Sequence, residues 1–399
     1  MNVASPRRPG EAGWFERGLC RTVHACGGAP PRALEMAVER GRVRERGGAE
    51  HRFGGPPPAG WGPRLSSPAP GVALDAVAGA IEALVAPYRG RVRLAYSAAA
   101  FHRRTAGNTL DAPVRPSFTW ALTGSLISAD GGTAWPLGWS GAGDGVGWLA
   151  AGAEEELREM AGALERARPL EAGRYDAVLG PDAAAVLVHE TVGHLAEAAP
   201  GAPPALGVRL ASEALSVEDD PGAPGGAACY AYDDEGVRSL GPTPVLREGV
   251  VVGELHTADT ARASGALPTA NGRAAGAWHP PLPRISNLVC APGDADEGEM
   301  VDRVGRGLYL RRLGEAGLSR AGVSARVVLA ERIEGGARTG EFLTGGWVEE
   351  EAGVLRRVVE AGDAPRFRAN AMCGRAGQLL CDVGTCSPAL RVGQLRIVR

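Results

Sequence analysis

Two histidines and a glutamate fall inside one apolar run, Val186-Leu187-Val188-His189-Glu190-Thr191-Val192-Gly193-His194-Leu195-Ala196-Glu197. Imidazoles suit a divalent metal, and catalytic zinc usually takes three protein ligands while keeping one position open. His189 and His194 supply two. Glu190 directly follows the first ligand, where a carboxylate serves as general base toward water activated by the metal. The spacing departs from the common H-E-x-x-H helix, whose histidines lie four apart on one face. Here the step is five, a rotation of about 140° in an ideal α-helix. Rings so placed diverge unless the helix widens into a π turn, a distortion frequent at functional sites. Gly193 makes such a rewinding easier. The spacing therefore predicts a distorted helix that brings both imidazoles to one metal.

The third ligand must come from elsewhere, with His256, His279, Glu197 and the cysteines as candidates. Cys373 is the strongest, because Gly374 and Gly377 in Met372-Cys373-Gly374-Arg375-Ala376-Gly377-Gln378 allow a tight turn that presents a thiolate. Two imidazoles and a thiolate favour zinc. Glu197 reads either as a carboxylate orienting a ligand or as a solvent-facing helix residue. His256 reads as a group that hydrogen-bonds substrate or as a plain strand histidine. Arg284 and Asn287 either position substrate or tie loops together. Cys381 and Cys386 read as structural. Cys20, His24 and Cys26 lack a second cluster to complete a metal set.

The elements that position these groups follow from pattern. Residues 72–86 form an amphipathic helix ended by Pro87, and residues 31–40 suit another. Val92–Ala98 and Ser117–Ile127 read as strands, Ser140–Gly147 as a loop, and Glu154–Ala167 as a charged amphipathic helix. Pro169–Gly173 looks like a linker, which places a domain boundary near residue 173. Tyr175–Leu179 is a short strand. Asp182 then suits a helix cap before a helix over 183–198. Beyond it come short strands with turn signals, one helix near 298–307, and β-rich stretches at 323–333 and 354–360. The fold class expected is α+β with two domains. Residues 1–173 would pair an antiparallel sheet with helices, their first ~70 residues irregular. Residues 174–399 would form a strand-rich domain around the metal helix.

Bulk properties narrow the function. The net charge is −3, which argues against a general nucleic-acid or anionic-membrane binder. No apolar run suits a membrane span, and no apolar stretch follows Arg7 and Arg8 to make a secretory signal. A cytoplasmic setting is the expectation. The seven cysteines, odd in number, read as free thiols or metal ligands rather than a disulfide framework.

Several ordered blocks resemble the TldD/PmbA family of zinc metallopeptidases, on the TldD side. They are Tyr175–Leu179 leading into Val188–His194, Asp233-Asp234-Glu235-Gly236, Leu246-Arg247-Glu248-Gly249-Val250, Pro283-Arg284-Ile285-Ser286-Asn287 with Pro292-Gly293-Asp294, Met372–Gln378, and the closing 384–398. The resemblance spans about residues 175–399, and the first 170 residues look shorter than the family's N-terminal domain. It implies zinc held by His189, His194 and Cys373, with Glu190 as catalytic acid and base. It also implies a heterodimer with a TldE/PmbA-like subunit that lacks the metal motif, and cleavage of flexible peptides, including precursors of ribosomally made natural products. Two other readings are an amidohydrolase acting on a small-molecule amide and a binding or regulatory subunit without catalysis.

Overall fold

The computed structural model describes residues 12–26, 29–44, 50–54, 74–88, 91–106, 114–128, 131, 133–142 and 153–399, except 200–205, 229, 276–278, 371–372 and 381. Six strands, β1 (Ala12–Cys26), β2 (Ala29–Arg44), β3 (Glu50–Gly54), β4 (Val92–Ala106), β5 (Val114–Ile127) and β6 (Ala134–Ala142), form an antiparallel sheet in the order β3-β2-β1-β4-β5-β6. The helix expected at 31–40 is instead part of β2, paired with β1 from Leu34↔Thr22 to Arg40↔Glu16. Leu34, Met36 and Val38 recur at every second position, and cross-strand pairing overrides local helix propensity there. The chain forms strand as far as Ala142 in the expected loop at 140–147, whose remainder lies outside the described residues. So do the side chains of Cys20, His24 and Cys26.

Helices Leu74–Val85 and Ala153–Arg166 cover this sheet. Val77, Ile81 and Leu84 on the first and Leu157, Met160, Ala161 and Leu164 on the second follow helical spacing and are buried against Trp120, Leu122, Leu126, Trp135 and Leu137. Val328 and Leu329, far along the chain, join the same core. The stretch read as a linker starts within structure, since Arg168 and Pro169 pair in parallel with Leu343 and Thr344.

From residue 173 the chain is strand-rich, and the whole is a mixed α+β fold. Gly173–Leu179 lies inside an eight-stranded sheet, parallel to Arg306–Ser319 and antiparallel to Leu390–Val398. A six-stranded sheet runs from Val250–Val251 through Thr243–Arg247, Val217–Asp219, Asn287–Cys290 and Val383–Ser387 to Arg366–Asn370. The segment 181–196 packs on Arg306–Ser319 of the first sheet and on Val383–Ser387 and Arg366–Asn370 of the second. That placement explains its composition, because a helix covered on all sides is apolar all round. Ala183, Ala184, Ala185, Leu187 and Val188 have no exposed surface.

Candidate metal centre

The metal helix begins at Pro181, whose missing N–H costs nothing in a first turn. Gly180 precedes it, without a side-chain cap. Asp182 is not the cap expected from its type: the helix starts one residue earlier, at Pro181, so Asp182 lies inside the first turn, where its carboxylate accepts from Arg368 Nη1 at 2.6 Å. Regular α-helix runs to Val188 and gives way to a π-helical turn over His189–Gly193. The His194 N–H donates to the His189 carbonyl five residues back. This is the widening that the five-residue step requires, and it sets the two imidazole centroids 4.9 Å apart with their planes at 81°. The Thr191 hydroxyl donates to Leu187 O at 2.6 Å within the distorted stretch. Helix resumes for His194–Ala196, and Glu197 turns extended to form a bridge with Leu255.

Gly193 serves this turn differently from its sequence reading. Its φ of −60° and ψ of −56° are ordinary helical values. A Cβ there would lie 2.6 Å from both Ile285 Cδ1 and Leu288 Cδ1. What an alanine would meet here is the close approach of the 285–288 segment rather than a backbone limit, and the two buried methyl ends would have to give way.

Cys373 arrives on a hairpin, Cys373–Arg375 paired with Gln378–Leu380. Its two-residue loop, Ala376-Gly377, has φ of 47° and 76°, the paired positive values of a tight primed turn. One ligand atom from each of His189, His194 and Cys373 lies within 4.8 Å of the others. Cys373 Sγ is 3.7 Å from His194 Nε2. Tetrahedral zinc with bonds of about 2.0–2.3 Å puts its ligand atoms roughly 3.3–3.8 Å apart. The set therefore fits such an ion after a small inward movement of its widest pair, and two imidazoles with a thiolate suit zinc chemically. Glu190 Oε2 stands 3.9 Å from His194 Nε2. The side chains of Glu190 and His194 keep 12% and 15% of their surface, whereas Cys373 and His189 are buried, so the cluster opens on the glutamate side.

A buried ionic shell surrounds the ligands. Glu197 Oε2 meets His194 Nδ1 at 2.9 Å, which leaves Nε2 to face the thiol. The same carboxylate pairs with Arg375, and its Oε1 accepts from the Ile285 N–H at 3.3 Å. Arg284 donates to Cys373 O at 2.7 Å and to Cys373 Sγ at 3.2 Å. Thr385 Oγ1 lies 3.4 Å from His189 Nδ1.

Charge follows from this packing. Burial alone would raise the Cys373 thiol, but His189 and His194 beside it prevail and hold it at about 5. Burial would lower His194, yet the Cys373 sulfur and Glu197 raise it to about 10. Burial raises Glu190, against the pull of the two histidines. Glu197 is lowered because His194, Arg375 and Arg284 outweigh its burial.

The remaining candidates divide. Glu197 touches His194, and Arg284 touches Cys373. Asn287 ties a loop, accepting from Ala228 N and donating to Asp220 O and Ala228 O. His256 faces Thr260 Oγ1 at 3.2 Å, beside a helix start, and like His279 it is outside the ligand group. Cys290 and Cys386 are buried and also outside it, while Cys381 lies outside the described residues. Two features carried no individual signal in the sequence. Arg375 sits in the Met372–Gln378 block without a role that its type reveals. Asp219 accepts from Ser286 N at 2.8 Å, Ser286 Oγ at 2.6 Å and Asn271 Nδ2 at 2.7 Å, fixing the segment behind Ile285.

Comparison with known proteins shows the family. The family model of the PmbA/TldA metallopeptidase C-terminal domain matches residues 172–399. A metalloprotease of Methanocaldococcus jannaschii is 32% identical over 231 residues, 56% of this chain and 51% of that protein. A metalloprotease TldD homolog of Haemophilus influenzae is 25% identical over 311 residues, 72% of this chain and 63% of that protein. The chain thus spans about half the length of the first of these relatives. The crystal structure of TldE from Thermococcus kodakarensis shares the fold, with a TM-score of 0.74 at 13% identity over 98% of this chain and 96% of that one.

Proposed function

The chain belongs to the PmbA/TldD metallopeptidase family, and on that premise we propose that it is a zinc-dependent peptidase and the metal-bearing subunit of a TldD/TldE-like pair. The observation that carries the reading is that the π turn and the Cys373 hairpin bring His189, His194 and Cys373 within 4.8 Å of one another with Glu190 beside them. Bound zinc would supply Lewis-acid polarisation of the scissile carbonyl. His189 Nε2 or Nδ1, His194 Nε2 and Cys373 Sγ would hold it. Glu190 takes the proton of the attacking water and passes it to the leaving amine. Glu197 fixes the ring of His194 through Nδ1, so Nε2 stays aimed at the cluster.

The substrates proposed are flexible peptides or peptidyl natural-product precursors, bound in the cleft completed by a TldE/PmbA-like partner. We place the reaction in the cytoplasm, where Cys373 stays reduced. Among the described residues no helix is long and apolar enough to cross a membrane.

The test is to co-express the chain with a TldE/PmbA-like subunit, assay zinc in the purified complex, and follow cleavage of an unstructured peptide by mass spectrometry. Cleavage should require zinc and fall by about 10²–10⁴-fold in Glu190→Gln while zinc stays bound. A zinc-free complex whose behaviour Glu190→Gln leaves unchanged would favour a binding subunit instead.

A further inference from the structure

We infer that Arg284 is a positioning residue for the thiolate ligand, and that through Glu197 it locks Cys373 and His194 into one unit. The inference rests on the zinc reading above.

Arg284 has no exposed surface. One of its nitrogens, Nη2, reaches both the Cys373 carbonyl and Sγ, at 2.7 and 3.2 Å. Its Nε lies 3.4 Å from Glu197 Oε1. The other oxygen of that carboxylate meets His194 Nδ1 at 2.9 Å. Sulfur, guanidinium, carboxylate and imidazole thus line up in one chain across three segments, with Cys373 and His194 at its ends 179 residues apart in sequence.

Taking a guanidinium wholly out of water is costly unless its partners compensate. Here Nη2 finds its hydrogen-bond acceptors on Cys373 and Nε meets the Glu197 carboxylate as an ion pair, while Nε and Nη1 have no hydrogen-bond partner, so the cation depends on the sulfur and the carboxylate for compensation. The donor at 3.2 Å also acts on the sulfur electronically. It draws charge from the thiolate and fixes the direction left open toward the cluster.

Arg273 provides an internal control. It is equally buried and cationic, but it donates to Ile285 O at 2.6 Å, pairs with Asp382 at 2.7 Å, and touches no ligand. Removing either cation perturbs the core, whereas only Arg284 acts on sulfur.

The test compares wild type, Arg284→Met, Arg284→Lys and Arg273→Met in the complex with the partner. Zinc affinity is measured by chelator competition, and the thiolate-to-metal charge-transfer band is recorded after cobalt loading. Arg284→Met should weaken zinc by about 10–100-fold, the usual cost of removing a group that orients a ligand. It should also move the cobalt band to longer wavelength, because sulfur regains electron density. Arg284→Lys keeps the cation but cannot span Cys373 and Glu197 together, so its zinc affinity should fall by an intermediate factor. Arg273→Met, which loosens Ile285 through its carbonyl, should weaken zinc by a smaller factor than Arg284→Met and leave the cobalt band unmoved. If Arg284→Met does not fold, Arg284→Lys decides: wild-type affinity and an unmoved band overturn the inference. An equal loss in Arg273→Met overturns it too, by showing a general core effect. A wild type that binds no zinc refutes the zinc reading itself, and the positioning role falls with it.

Discussion

Gly193→Ala separates two accounts of the π turn. If the glycine is there for backbone freedom, alanine should be welcome, because φ of −60° and ψ of −56° suit any residue. The exchange would then stabilise the helix by about 0.8–1 kcal/mol. The structure argues the opposite, since the new methyl would sit 2.6 Å from Ile285 Cδ1 and from Leu288 Cδ1, both fully buried. Overpacking of this kind costs about 1–3 kcal/mol. Subtracting the helix gain leaves a net loss of about 1 kcal/mol. The strain falls beside His194, so zinc affinity should drop by about tenfold. The assay is the midpoint of the urea transition together with chelator competition for zinc. Ile285→Val removes the very atom that one side of the methyl meets. Alone it should cost about 0.5–1.5 kcal/mol, but in the Gly193→Ala background it should cost less, with a coupling of about 1 kcal/mol. A Gly193→Ala chain that is more stable than wild type, with unchanged zinc affinity, would refute the packing argument.

Glu190→Gln should lower peptide cleavage by about 10²–10⁴-fold while zinc stoichiometry stays the same; loss of zinc in this variant would make Glu190 a ligand instead. In the zinc-free chain the Cys373 thiol is already ionised near neutrality, with a pKa of about 5, and His194 still holds its proton, with a pKa of about 10. Zinc binding at neutral pH should therefore release about one proton, from His194, and affinity should rise about tenfold per pH unit from neutrality to about 10. Calorimetry in buffers of different ionisation enthalpy measures this, and release of none or of two would contradict it. Asp219→Ala strips the acceptor from Ser286 N, Ser286 Oγ and Asn271 Nδ2 in a buried site. Asn271 Nδ2 keeps Arg284 O at 3.0 Å, so at about 1–3 kcal/mol for each of the two donors left stranded the urea midpoint should report a loss of roughly 2–6 kcal/mol, and a loss under about 1 kcal/mol would show that the network relaxes.

The metal helix was legible because ligand chemistry and helical geometry meet in a few adjacent residues. A five-residue step between two imidazoles has few solutions, and the π turn is one of them. The reason for Gly193 was not legible, because it lies in side chains of a segment some 90 residues away. Asp182 failed as a cap because Pro181 already opens the helix, and its carboxylate instead meets Arg368, 186 residues on. Cys373 stood out only through the glycines around it. Nothing local shows that its hairpin returns to the helix, and Arg375 became visible only as a partner of Glu197. Residues 31–40 misled because length and composition suited a helix, while alternation of Leu34, Met36 and Val38 already fitted the strand that pairing selects.

The central claim is that two imidazoles of one π-distorted helix and a thiolate from a distant hairpin hold one zinc. X-ray absorption at the zinc edge of the loaded protein tests it most directly. The account predicts one sulfur at about 2.3 Å with the remaining nitrogen or oxygen atoms at about 2.0–2.2 Å, and loss of the sulfur contribution in Cys373→Ser. A sulfur-free zinc site in the wild type, or an unchanged spectrum in Cys373→Ser, would contradict it.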